Sequence, residues 1–338
     1  MDKTSMARNI SIDTLRGLAC ILLVAFHVVG WDPSSGLTLE DSHPLSQLND
    51  ILAYLRMPLF SFLSGFVYAW RPYSGEPVKF LKGKVRRLLV PMLVVGTFFA
   101  VLQSLTPGTN APDYDWRLLH IIPVAHYWFL ESIFIIFMLI ACLERFNLLS
   151  TPGRFAGIWL VAGLLFLFNP MTNLFGLAGA AFLLPFFLLG LSCNRFHDKI
   201  KRNHVVFGTA ALGGLCLYLL VTSQALPGAT SLAALLLGGG GCIVLLRINF
   251  QSPWLASIGY YSFAIYLFHT MFTAASRIVS MLMGINSVAL LFGNGLVLGI
   301  VGPILVSTVL RRVPLGYWVL GESSKVDFRS QQSYGPAR

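Results

Sequence analysis

The 338-residue sequence predicts an all-α fold, a polytopic membrane bundle of about ten transmembrane helices with both termini cytoplasmic. Three observations carry that expectation. Hydrophobic residues make up 56% of the chain and charged residues only 11%, with a mean hydropathy of +0.72, whereas a soluble domain carries about 25% charged residues. The apolar residues fall into successive runs close to the roughly 20 residues that cross a bilayer core. The basic residues, in turn, collect on alternate connections between those runs.

The predicted spans are 12–30, 51–70, 88–105, 127–143, 155–169, 174–193, 204–222, 229–246, 257–275 and 284–310. With the N-terminus inside, 21 of the 24 lysines and arginines lie on the cytoplasmic side, and only Arg56, Arg117 and Arg277 lie outside. The first outer loop holds Asp32, Glu40, Asp41 and Asp50 and no basic residue. This is the positive-inside pattern, so the net charge of +10 reports orientation, and no nucleic-acid partner is expected. The first run has no small-residue cleavage site after it and carries ionisable groups within it, so it is expected to be retained as a span rather than removed as a signal peptide. The five cysteines lie in or beside apolar runs without CxxC or Cys/His ligand spacing; neither disulfides nor a metal site are expected. The Gly238–Gly241 run lacks a following GK[ST] and reads as closely packed backbone, not as a phosphate loop. The tail after residue 310, ending SSKVDFRSQQSYGPAR, reads as a disordered cytoplasmic segment (311–338) following a membrane domain of residues 1–310.

The chemistry-bearing residues begin in the first span. Arg16 and His27 are 11 residues apart, three turns plus about 20°, so they share one helix face and are separated by about 16 Å. Asp13 stands one turn before Arg16 and is positioned to pair with it. Arg16 alone could be a snorkelling interfacial arginine; His27, deep in an apolar run, is the kind of intramembrane group that marks function. In the second span, YLRMPLFSFLSGFVYAW, Arg56 lies at the outer end before Pro58, either anchored at headgroups or functional, and Ser64-Gly65 marks a close-packing position. The connection RPYSGEPVKFLKGKVRRLLVP is the most basic stretch. Lys79, Lys82, Lys84, Arg86 and Arg87 suit lipid headgroups or the phosphates of an anionic ligand.

The fourth span opens AHYWFLESIFIIF, with His126, Trp128 and Glu131 near its outer end. Tyr127 and Trp128 fit an interfacial aromatic belt. Glu131 is an acidic residue well inside a span and requires an interior partner. NPMTN (169–173) reads as a tight outer turn and FHDKIKRNH (196–204) as a basic inner loop. In GYYSFAIYLFHT, Ser262, Tyr266 and His269 fall on helical spacing; taken alone, His269 reads as a core histidine.

His27, Arg56, His126, Glu131 and His269 are thus expected in the outer half of the membrane, with Arg16 and the basic run at the cytoplasmic side. A histidine with a carboxylate at hand suits general-base activation of a hydroxyl, and a basic inner funnel suits an anionic donor. The segment LRGLACILLVAFH, with ten residues between its arginine and its histidine, resembles the signature of the membrane acyltransferase-3 family. The resemblance continues in order through MPLFSFLSGF (57–66), the run from Lys84 to Arg87 with LLVP, HYWFLESIF (126–134) and YSFAIYLFH (261–269). It covers nearly the whole chain, strongly in the first four spans and weakly in the fifth to eighth.

The resemblance implies an integral-membrane O-acyltransferase of the bacterial cytoplasmic membrane. It would move an acyl group, usually acetyl from acetyl-CoA, onto a hydroxyl of an extracytoplasmic or lipid-linked saccharide, with membrane lipids around it and no permanently bound cofactor. It implies His27 as catalytic base, with Arg16 binding or orienting the donor. Lys82, Lys84, Arg86 and Arg87 would hold the donor phosphates, although the family often has arginine where Lys84 stands and lysine lacks bidentate geometry. Glu131 would orient His27, and Arg56 or His126 would stabilise the oxyanion. His126, Trp128, Tyr266 and His269 would line the acceptor site. A stand-alone form without a C-terminal esterase-like domain is expected. The rival class, a glycan or lipid transporter or flippase, also places charges in mid-membrane but is usually marked by inverted repeats, and no half-to-half correspondence is visible. A purely structural membrane subunit leaves the ionisable groups unexplained.

Overall fold

A computed structural model describes residues 9–106, 109, 114–197, 213 and 226–322. Among them, every regular element is helical. In chain order these are α1 (Ile10–Val29), α2 (Pro44–Tyr68), α3 (Pro77–Lys84), a π-helical turn (Val85–Leu89), α4 (Val90–Leu105), a 3₁₀ turn (Ala125–Tyr127), α5 (Trp128–Arg145), α6 (Pro152–Phe168), a second 3₁₀ turn (Leu174–Gly176), α7 (Leu177–Arg195), α8 (Leu232–Ile248), α9 (Pro253–Tyr260), α10 (Ser262–Leu282), α11 (Val288–Leu310) and α12 (Gly316–Val319). Among the described residues, seven helical stretches are long and apolar enough to cross a membrane, and α6 and α8 are shorter apolar helices. The protein is therefore an integral membrane protein with an all-helical fold. The predicted span 204–222, the basic residues Lys3, Arg8, Lys199, Lys201 and Arg202, and the tail from 323 lie outside the described residues.

Three boundaries differ from the sequence reading. Helix α2 begins at Pro44 rather than at 51, because His43 caps it through Nδ1, which accepts from Leu45 N–H at 3.2 Å, and proline fits the first turn of a helix. The third span is helical from Pro77, with a wider turn inserted at Val85–Leu89, where Val90 N–H reaches back to Val85 O. Pro91 explains the widening. It has no N–H for the carbonyl four residues earlier, and its ring crowds that carbonyl. The span read as 257–275 is two helices, broken at Tyr261, and the second runs on to Leu282.

The chain divides into two compact units. The first comprises Met1–Val28 and Ile248–Arg338. Within it, α1 and α9 meet backbone to backbone: a Cβ on Gly17 would collide with the Leu255 carbonyl, and one on Gly259 with the Asp13 carbonyl. Thr14 fastens the crossing by accepting from Ser252 N–H at 3.1 Å. Helix α11 lies against its neighbours through glycines. A Cβ on Gly295 would meet Val28 at 2.9 Å, and one on Gly302 would meet the Phe272 ring. At the far end Arg311 forms a two-pronged pair with Glu322 (2.8 and 3.1 Å).

The second unit, Val29–Arg247, is built on α2 and α7. Gly65 faces the Phe187 carbonyl and Gly190 faces the Phe62 carbonyl, each too close for a side chain. Ser61 donates to Leu183 O at 2.9 Å and Asn194 to Phe66 O at 2.8 Å along the same seam. Pro58 removes the donor that would normally bond the Tyr54 carbonyl, and α8 approaches this carbonyl through Gly238, where a Cβ would lie 2.7 Å away. The glycine run of α8 is thus closely packed helical backbone.

Candidate active site

In the first unit, the cap and the glycine crossing fix the start of α1. Asn9 Oδ1 accepts from Ser11 and Ile12 N–H at 3.1 and 3.3 Å, and the crossing with α9 buries Asp13. Its carboxylate accepts from Arg16 Nη1 at 3.2 Å, and the Arg16 side chain remains about one-third exposed (34%). Three turns on, the half-buried His27 ring meets His269, with centroids 4.8 Å apart and planes at 61°. Phe26, its neighbour in the chain, also meets the ring edge-on, with centroids 4.8 Å apart.

His269 is fully buried (0% exposed). Its Nδ1 lies 2.8 Å from Ile265 O and 3.0 Å from Tyr266 O. Both partners are carbonyls and only accept, so Nδ1 carries the hydrogen, and in the neutral ring Nε2 holds the lone pair. Tyr266 lies one turn back, its ring 6.4 Å from His269. The α10 face that carries His269 continues through Thr273, Ser276 and Ser280, all buried. These hydroxyls are not among the residues expected from the sequence, although their spacing of three and four residues places them on the face of His269.

The second unit holds the remaining candidates. Arg56 is buried, and its Nη2 donates to Asn49 O at 2.7 Å and Oδ1 at 3.2 Å; Asn49 Nδ2 in turn donates to Gly30 O at 2.9 Å. His126 packs on Tyr127 (4.1 Å) and Phe99 (5.9 Å). Glu131 is 5% exposed, and among the described residues neither carboxylate oxygen has a hydrogen-bond partner. A carboxylate so placed needs a donor or a cation to stay charged.

Trp128, one turn earlier, lines an open cleft of about 300 Å³ with Asn169, Asn173, Gly179 and Phe182. The ring fits there because a Cβ on Gly179 would lie 2.8 Å from Trp128 Cζ3. Asn169 closes α6 in the left-handed conformation (φ 36°, ψ 60°), and its Oδ1 is buried with no hydrogen-bond partner among the described residues. The two asparagines belong to the NPMTN turn; read only as a turn, they gave no hint that they share a cleft with Trp128.

The basic run is helical. Lys84 turns inward, with Nζ 3.1 Å from the centroid of the Phe137 ring and 5.3 Å from that of Phe80. Lys82 and Arg87 are exposed, and Arg86 is half-buried. The structure thus joins His27 with His269, and Arg16 with Asp13. It gives Arg56 to Asn49 and Lys84 to Phe137.

A protein-family model described as "Acyltransferase domain" matches residues 9–312. Over 157 residues the chain is 27% identical to the nodulation protein NolL of Mesorhizobium japonicum, a match covering 46% of this chain and 39% of that protein. No solved structure matches the chain.

Proposed function

The chain belongs to the membrane acyltransferase-3 family, and from that premise we propose that it is an acyl-CoA-dependent O-acyltransferase. The acyl group, acetyl in the first instance, passes from a cytoplasmic donor to a hydroxyl of an extracytoplasmic or lipid-linked saccharide. The protein works in the bacterial cytoplasmic membrane with both termini inside. The observation that carries this reading is the pairing of His27 with His269 at 4.8 Å inside a chain matched by the family over residues 9–312.

His27 takes the proton of the acceptor hydroxyl as its oxygen attacks the thioester carbonyl. The tetrahedral intermediate collapses by breaking the C–S bond. The departing thiolate recovers the proton from the imidazolium, giving the ester and a free thiol. His269, its Nδ1–H tied to the backbone, holds one ring orientation beside the base. Arg16, charged but steadied by Asp13, serves the donor at the other end of α1, and the exposed Lys82 and Arg87 are the cations offered to donor phosphates. Lys84, turned onto Phe137, takes part through packing rather than through direct phosphate contact. The saccharide class is supported by the Trp128 cleft, since an aromatic face flanked by amides suits the apolar faces and hydroxyls of a sugar ring.

The test is acyl transfer in membranes, read by mass spectrometry of envelope glycans and lipids with and without the protein. Acetyl-CoA should raise the thermal stability of the purified chain, and His27→Ala should keep that shift while losing acceptor acylation. Full acylation by His27→Ala at normal protein level would overturn the assignment. Acceptor movement without any acetyl-CoA stabilisation would favour a flippase.

A further inference from the structure

The hydroxyl-bearing face of α10 has no part in the chemistry above. At about 100° per residue, positions 269, 273, 276 and 280 fall within an arc of about 60°, and they climb about 16 Å along the helix. All four are buried. Thr273 satisfies itself on Thr270 O at 3.1 Å, and Ser280 accepts from Asn294 Nδ2 at 3.4 Å. Ser276 does neither. It is 3% exposed, and among the described residues its Oγ has no hydrogen-bond partner.

A serine inside a membrane helix ordinarily bonds to a carbonyl one turn back. One that is buried and turned away from that option loses the free energy of a hydrogen bond unless water or a ligand hydroxyl supplies it. Thr270, beside His269, likewise has a buried Oγ1 without a partner among the described residues. Gly299 of α11 packs closely against this face at Thr273, where a Cβ would come within 2.7 Å of Thr273 Cγ2, so the two hydroxyls unpartnered among the described residues, Thr270 and Ser276, stand before and after that contact along the helix.

We infer that the Thr273–Ser276–Ser280 face of α10 lines a water-filled path that ends at the His27–His269 pair and admits the hydroxyl-bearing acceptor. The acceptor part rests on the acyl-transfer reading; the hydration part does not.

Cysteine accessibility separates the two. Ser276→Cys and Ala275→Cys place thiols at adjacent depths. Ala275 is exposed within the apolar stretch Ser262–Leu282, which is long enough to cross a membrane, so its side chain is expected to face lipid, where a thiol stays protonated and unreactive. A small charged methanethiosulfonate reagent, with labelled peptides located by mass spectrometry, is expected to modify Ser276→Cys at least about tenfold faster than Ala275→Cys, because only a hydrated thiol ionises. Equal rates, or a faster Ala275→Cys, overturn the path. A second variant, Ser276→Val, fills the face with methyl groups. It is expected to lower acceptor turnover while leaving stabilisation by acetyl-CoA intact. If Ser276→Cys is labelled and Ser276→Val turns over normally, the path carries water only, and the acceptor part is overturned while the acyl-transfer reading stands.

Discussion

His27 and His269 stand edge to face across α1 and α10, their ring centroids 4.8 Å apart. His269 is tied to its own backbone by Nδ1, which fixes the orientation of its ring beside His27. His269→Asn is expected to lower kcat, leave the KM for acetyl-CoA unchanged and shift the acid limb of the pH–rate profile. His27→Ala is expected to cost about 10²–10⁴-fold, the range of a lost general base. Steady-state kinetics in nanodiscs across pH checks both. A KM effect alone from His269→Asn would assign that residue to packing.

Lys84 and Phe137 form a cation–π contact at 3.1 Å. A double-mutant cycle of Lys84→Met and Phe137→Leu, read by thermal unfolding, is expected to show a coupling of about 0.5–2 kcal/mol. Additive losses would mean that the ammonium is held by something else.

The α2–α7 seam gives a sharp contrast among glycines. Gly65→Ala and Gly190→Ala push a methyl into carbonyl groups and are each expected to destabilise by about 1–3 kcal/mol or more. Gly157→Ala, in α6 with nothing within 4 Å of the new methyl, is expected to stabilise by about 0.5–1 kcal/mol, the helix preference of alanine over glycine. Unfolding of the three variants side by side distinguishes a seam from ordinary glycine flexibility.

His120, outside the spans, accepts or donates to Thr97 Oγ1 at 2.9 Å, and burial holds its ring below the usual histidine value of 6.5. The neutral ring is therefore favoured in the folded protein, while the unfolded chain takes up a proton first as the pH falls. Stability from this group is complete above pH 6.5 and is lost as the pH drops through the lowered value. Thermal unfolding between about pH 8 and pH 5 is expected to fall less steeply for His120→Gln than for the parent chain; identical slopes would remove His120 from the balance.

Much of this molecule is legible in its sequence. Among the described residues the apolar runs gave most spans to within a few residues, while α10 runs on to Leu282, past the expected end at 275, and prolines or caps moved other boundaries. The alignment of Arg16 with His27 followed from helical periodicity, and the Asp13–Arg16 pair from i,i+3 spacing. What escaped depends on relationships between distant segments. Nothing local says that Lys84 rests on Phe137, that Arg56 folds back to Asn49, or that Asn169 and Asn173 share a cleft with Trp128. The π-helical turn was in principle readable from Pro91, since a missing donor must be accommodated one turn earlier. The serines of α10 were readable as well, but small hydroxyls in a helix usually bond to their own backbone and so do not stand out until one of them fails to.

The glycine seams also bear on mechanics. Helices separated by a layer of side chains can shift as those chains change rotamer. Helices whose carbonyls face bare glycines cannot, because any slide carries a carbonyl into the next residue's side chain. Each unit therefore has a stiff spine, α1 with α9 in one and α2 with α7 in the other. Compliance is left to the least enclosed helices: only 28% of the apolar stretch of Pro77–Leu105 and 22% of that of Val288–Leu310 is buried, against 67% for Leu174–Arg195. Changes in bilayer thickness or lateral pressure act first on those two, and the neighbouring residues they would displace include Thr273, the first hydroxyl beyond His269.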